Sequence, residues 1–147
     1  MPDNIHLTVA ALVCRNEKFL LVREYDNGLT VINQPAGHVE VGESPVAAVK
    51  RETLEETGWL VEPSALLGFS VFTSHDNGIT YYRFSFICKA IEQLANAEID
   101  ADIVDVLWLS RQELLTADPL RSPMVLQTIK DYQAGISYPL EFIRDYR

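Results

Sequence analysis

Three carboxylates, Glu52, Glu55 and Glu56, crowd the run Arg51-Glu-Thr-Leu-Glu-Glu-Thr-Gly58. At about 100° per residue on a helix, Glu55 and Glu56 lie about −60° and +40° from Glu52, so the three share one face. Like charges spaced i, i+4 destabilise a helix slightly, and a Glu near a helix C-terminus opposes the macrodipole. Glu56 stands two residues before Gly58, where a charge gains nothing locally. Local rules broken without local gain often mark function. Two readings compete. The cluster is a solvated acidic face, or it is a set of hard oxygen ligands, without His or Cys, suited to Mg²⁺ or Mn²⁺.

The surrounding sequence says how such a face would be positioned. Ser44-Pro45 is a helix start, with Ser as N-cap and Pro at the first helical position, and Gly58 is a good C′ residue. Ala47 and Leu54 are expected to turn toward the core. Before this helix, 5–14 and 17–23 read as a strand hairpin, and 29–33 and 37–41 as shorter strands. After it, strands are expected at 59–63, 66–74, 79–90 and 103–109, with the turn His75-Asp-Asn-Gly78 between the second and third. Ser110-x-x-Glu113 is a capping box, and a further helix runs from Ser122-Pro123 to Gly135. The aromatic tail 136–147 is expected to pack rather than float. Strands with helices set between them imply an α+β fold, an α/β/α sandwich, in one domain over 1–147.

The wider spacing narrows the function. Residues 37–59 read Gly37-x5-Glu43-x7-Arg51-Glu52-Thr53-x-Glu55-Glu56-x-Gly58-Trp59. This resembles the Nudix box, G-x5-E-x7-R-E-U-x-E-E-x-G-U, where U is bulky and apolar. Thr53 departs from the usual aliphatic residue and Trp59 is a large version of the last one; neither would be a metal ligand. The resemblance implies a Nudix-type α/β/α sandwich with a mixed β-sheet, in which the box forms a loop–helix–loop. It implies hydrolysis of a diphosphate linked to another moiety, with Mg²⁺ as the usual metal. Glu52, Glu55 and Glu56 would be metal ligands, joined by the Gly37 carbonyl. Glu55 or Glu56 would serve as general base. Glu43 and Arg51 would pair and brace the loop against the helix; the alternative is a surface ion pair of little energetic worth.

Outside the box the candidates are individual residues. Nudix sites often recruit another acidic residue from a loop before a late strand. Glu98, Asp100, Asp102 and Asp105 are available, with Asp102 the first choice. His38 either touches substrate or makes a local hydrogen bond. Arg83, among strand aromatics, points inward to a phosphate or outward to solvent. Tyr81 and Tyr82 face opposite sides of their strand, so only one lines a given cleft. The segments 33–38 (NQPAGH), 120–123 (LRSP) and 138–143 (YPLEFI), with HLTVAALV near the start, resemble the bacterial NudJ subfamily of Nudix phosphatases. That resemblance implies phosphate release from nucleoside di- and triphosphates and from the thiamine precursor hydroxymethylpyrimidine diphosphate. Gln34 and Arg121 would then help shape the substrate pocket. The alternatives are Nudix pyrophosphohydrolysis of nucleotide sugars or dinucleoside polyphosphates, diphosphate isomerisation, and a non-catalytic binding module. The three intact Glu residues weigh against the last.

Composition bounds the partners. A formal charge of −9 argues against a nucleic-acid polymer or an anionic membrane, whereas small phosphorylated molecules can bind through bridging cations. Cys14 and Cys88 stand alone, without the spacing of a zinc site or a disulfide framework. No secretory leader pattern or long apolar run is visible, so a cytoplasmic protein is expected. Monomer and homodimer both remain open.

Overall fold

Two strands that begin as one hairpin and then part company shape the molecule. The structure is a computed structural model and describes residues 4–147. Strands β1 (Ile5–Arg15) and β2 (Lys18–Asp26) are joined by Asn16 and Glu17, both at positive φ (52° and 62°). Such a two-residue turn matches the right-handed twist of a hairpin. Yet β1 and β2 pair only at Cys14–Phe19 and Arg15–Lys18. Beyond that tip each strand joins its own sheet.

β1 runs parallel to β6 (Thr80–Gln93) from Ile5–Thr80 to Val13–Cys88. Its other edge pairs antiparallel with the short β4 (Ala36–His38). β5 (Trp59–Thr73) completes this mixed sheet on the far side of β6. β2 lies between β3 (Leu29–Asn33) and β7 (Ile103–Leu109), antiparallel to both. The splay between the two sheets leaves a cleft between them.

Helix α1 (Pro45–Thr57) has the ends the sequence implied. Ser44 Oγ accepts from the Ala47 N–H at 3.1 Å, and Gly58 sits at φ 76° with its N–H donated to the Leu54 carbonyl. Its buried residues are Ala48, Val49, Thr53, Glu56 and Thr57. Ala47 is exposed and Leu54 only half-buried, contrary to expectation. The helix is rolled so that a face carrying Glu56, rather than the face opposite the acids, turns inward. Thr53 fills an aliphatic position because its hydroxyl is satisfied locally, donating to the Val49 carbonyl at 2.7 Å.

The core lies in two layers. Val9, Ala11, Val13, Phe86 and Trp59 pack beneath α1. Leu12, Leu21, Ile32 and Leu67 pack with α2 (Arg111–Leu114) and α3 (Pro123–Gln133) on the other side. The alternation along β1 feeds both layers, and the result is an α+β fold, an α/β/α sandwich around mixed strands. Among the described residues no helix is long and apolar enough to cross a membrane.

Three departures from the expected elements have local causes. The pieces 59–63 and 66–74 form one strand, β5. Register shifts at Leu60/Val61, Pro63/Ala65 and Leu66/Gly68 accommodate a proline that cannot donate to the ladder. The expected strand 37–41 ends at His38, because Gly42 turns the chain at φ 79°. The tail packs in part. Tyr138 exchanges two backbone hydrogen bonds with Leu66, and Leu140 and Ile143 cover the first core layer. Phe142 and Tyr146 stay exposed.

Replacing Gly58 with Ala places a Cβ in the left-handed region, 3.4 Å from the Ala97 Cβ. The expected cost is about 1–2 kcal/mol, or roughly 2–8 °C in Tm. A thermal unfolding curve that coincides with the wild type would contradict the capping role.

Candidate active site

Arg51 organises the acidic end of the cleft. Its Nε and one terminal nitrogen donate to the two Glu43 oxygens at 2.7 and 2.9 Å. The same nitrogen that meets Glu43 Oε1 also donates to the His38 carbonyl at 3.0 Å. The other terminal nitrogen reaches Glu52 at 2.9 Å and Glu55 at 3.2 Å. This arrangement fastens the loop 38–43 to the second half of α1. It lowers the Glu43 pKa, mainly through the Arg51 hydrogen bonds.

Around this cation the acids differ in burial. Glu52 lies against Gly37 so closely that a Cβ there would overlap the carboxylate; burial raises its pKa despite Arg51. Glu56 is only 8% exposed and accepts the Ala36 N–H at 2.9 Å. Burial pushes its carboxyl up to about 9, with Glu24, Glu52 and Asp100 adding repulsion. Glu52, Glu55 and Asp100 can each bring one oxygen within 4.8 Å of the others. An all-oxygen set of this kind suits a hard divalent cation.

The loop acid in this group is therefore Asp100 and not Asp102, the first choice from sequence. The Asp100 N–H donates to the Glu55 carbonyl at 2.9 Å, which ties the loop to the last turn of α1. Asp102 lies within the turn that follows, exposed, with its backbone carbonyl accepting the Tyr25 N–H. Asp105 is held instead by Arg23.

The same cleft also holds two arginines, together with Glu24 and Asp26. Arg83 is 4% exposed, and its Nη2 donates to Gln34 Oε1 at 3.0 Å. Its Nε is buried without a partner. Burial lowers its pKa to about 10, so it remains charged at neutral pH. Arg121, more open, donates to Glu24 at 2.8 Å and lies 3.4 Å from Asp26. Both arginines line a cleft of about 550 Å³ that Gly37, Glu52 and Glu56 also line. His38 lies exposed at its mouth, 2.8 Å from a His6 ring nitrogen. Tyr81 lines the cleft two residues from Arg83, while Tyr82 stacks on Phe69.

Gln34, which the resemblance implies helps shape the pocket, does not line the cleft itself: it is 2% exposed and its side-chain polar atoms are engaged by protein, one of them by Arg83. Glu24 and Asn33, both buried and both on the cleft wall, escaped the sequence reading. A signal for Glu24 existed: Leu20, Val22 and Glu24 alternate on one face of β2, and a carboxylate there is turned inward.

Comparison with known proteins agrees with this geometry. The NUDIX domain matches residues 4–128. The chain belongs to the Nudix hydrolase family. It is 40% identical to "Phosphatase NudJ" of Escherichia coli K12 over 141 residues, which is 96% of this chain and 92% of that protein. The same figures hold for the Shigella flexneri phosphatase of that name. Among solved structures, a NUDIX hydrolase from Nitrosomonas europaea superposes with TM-score 0.89 at 40% identity, over 96% of this chain and 97% of that one. A UDP-X diphosphatase shares the fold, with TM-score 0.74 at 23% identity, over 92% of this chain and 66% of that one. This Nudix chain is thus a hydrolase of phosphoric anhydrides, with an acidic cluster fitting the family's usual divalent-metal dependence.

If Asp100 rather than Asp102 completes the cation site, Asp100→Asn should raise the Mg²⁺ concentration needed for half-maximal hydrolysis several-fold. Asp102→Asn should leave that concentration near the wild-type value. A metal titration showing the reverse order would restore Asp102.

Proposed function

We propose that this protein is a Mg²⁺-dependent phosphohydrolase, with Mn²⁺ as substitute, that releases phosphate from small diphosphates. The substrates we assign are nucleoside di- and triphosphates and hydroxymethylpyrimidine diphosphate. The observation that carries the reading is a single cleft lined both by carboxylates of the acidic helix and by a buried arginine that makes no ion pair. A diphosphate carrying a divalent cation is complementary to both kinds of residue at once. The substrate classes rest on the likeness to the NudJ phosphatases along nearly the whole chain.

Roles follow from position. Glu52, Glu55, Glu56 and Asp100, with the Gly37 carbonyl, would hold the cation. When bound, a divalent cation neutralises diphosphate oxygens and lowers the pKa of water. Glu55, or Glu56 once a bound cation holds its buried carboxyl ionised, takes the proton of the attacking water as general base. Glu56 is the more buried of the two, and Glu55 the more accessible. Glu43 and Arg51 take no part in bond making; they keep the acids in register despite mutual repulsion. Arg83 receives a phosphoryl group, and Arg121 screens the charge of its neighbours. His38 and Tyr81, at the mouth, flank whatever the diphosphate is attached to.

Two measurements test this. Glu56→Gln should lose roughly 100-fold or more in kcat while remaining folded by circular dichroism, the scale expected of a general base or a metal ligand. Unchanged turnover would remove Glu56 from the site. A panel of diphosphates, scored for phosphate against pyrophosphate, should show phosphate release with Mg²⁺ and none with a chelator. Cleavage confined to nucleotide sugars or dinucleoside polyphosphates would overturn the assigned substrates and leave the family intact.

A further inference from the structure

A buried guanidinium ordinarily has a counter-ion, because an unpaired charge taken out of water is strongly destabilising. Arg83 makes no ion pair among the described residues, and Glu24 and Glu56 act on it only without contact. Of its five N–H groups, one is engaged, by Gln34, and its buried Nε meets no acceptor. Nor is the arginine free to swing toward solvent. It lies in the middle of β6, opposite Thr8 of β1 and Ser70 of β5.

Gln34 explains how it is held. One amide nitrogen donates both to the Val125 carbonyl at 2.8 Å and to the Thr128 hydroxyl at 2.9 Å, both in α3. That leaves Oε1 directed at Arg83 and fixes which way round the amide sits. Thr128 is itself tied down, donating to the Met124 carbonyl at 2.8 Å. Helix α3 thus orients the guanidinium through a side chain that never meets the cleft. Gln34 meets Arg83 without lining the cleft, and Val125 and Thr128, which hold its amide, are likewise buried and off the lining, so protein fills that side of the guanidinium.

We infer that Gln34 and Arg83 form a closed subsite for a terminal phosphoryl group, with Gln34 as the positioning residue that turns the unused guanidinium N–H groups toward the cleft. A phosphate seated there has protein behind it and can carry a substituent only toward the mouth. A terminal phosphate satisfies that condition. A bridging phosphate, substituted on both sides, does not. The inference deepens the proposed function and rests on it. It adds that the enzyme selects uncapped diphosphates, and that the selection is built from α3.

The test compares a nucleoside diphosphate with the same compound methyl-esterified on its terminal phosphate, in the full-length protein with Mg²⁺. Gln34→Met, Arg83→Met and the double variant are measured beside wild type. Wild type should prefer the uncapped compound in kcat/KM. Arg83→Met should reduce that preference roughly tenfold, the scale of one charged hydrogen bond. Gln34→Met should reduce it less and mainly through KM, with no further effect once Arg83 is Met. Arg83→Met should also raise Tm, since it removes an unpaired buried charge. Inorganic phosphate should raise the Tm of wild type but not that of Arg83→Met, a reading independent of turnover. A preference unchanged in Arg83→Met overturns the subsite. A Gln34 effect that persists undiminished in the Arg83→Met background overturns the positioning role. If wild type hydrolyses neither compound, the proposed function fails, and the phosphate-dependent Tm then decides the subsite alone.

Discussion

Carboxylates gathered in one place repel one another, and the architecture around α1 is the answer to that repulsion. Arg51 touches Glu43, Glu52 and Glu55 at once and reaches the His38 carbonyl as well. It is partly buried, so its charge is screened less than that of a surface arginine. Its fork geometry suits it to this work better than a lysine, which presents a compact point charge. The loop 38–43 is held where it is because Glu43 must reach this guanidinium. Gly37 sits at the foot of that loop, where any side chain would displace Glu52.

What Arg51 leaves uncompensated is informative. Glu56 lies beyond its hydrogen bonds, buried, with one backbone N–H and several acidic neighbours. Across the cleft Arg83 is buried with no acid paired to it. The two could have neutralised each other through a direct ion pair, yet none forms. A cleft that buries a protonated carboxyl and a guanidinium without joining them is complementary to a ligand that brings a cation to the first and an anion to the second.

The splayed hairpin supplies the space. If β1 and β2 stayed paired along their length, the sheet would be continuous and the cleft closed. They separate after two residue pairs, so β4 lies on β1, β3 lies on β2, and the segment between them runs along the cleft wall. At the hairpin tip, the Arg15 guanidinium lies 5.0 Å from the Trp59 ring, which meets Trp108 edge-on. The bulky Trp59 after the C-cap of α1 thereby links the helix end to both sheets.

Much of this was legible without coordinates. Helix ends depend on a residue and its immediate neighbours, so Ser44-Pro45, Gly58 and the Ser110–Glu113 box located their helices. Apolar, β-branched runs are equally local, and they marked β1, β2 and β7. Gly37, Glu43 and the Arg51–Gly58 run were visible because a loop–helix–loop keeps its parts close in sequence. What escaped was set by contacts between distant segments. The choice between Asp100 and Asp102 depends on which loop residue donates to the end of α1. The inward turn of Arg83 depends on a glutamine 49 residues away, itself clamped by a helix about 90 residues further on. Glu24 faces the cleft because β2 leaves β1. The sequence by itself determined the local elements and the acidic motif they carry, because short-range propensity and spacing are written in consecutive residues. Only the tertiary structure decided which charges are buried and which are paired, because burial and pairing belong to the assembled sheets.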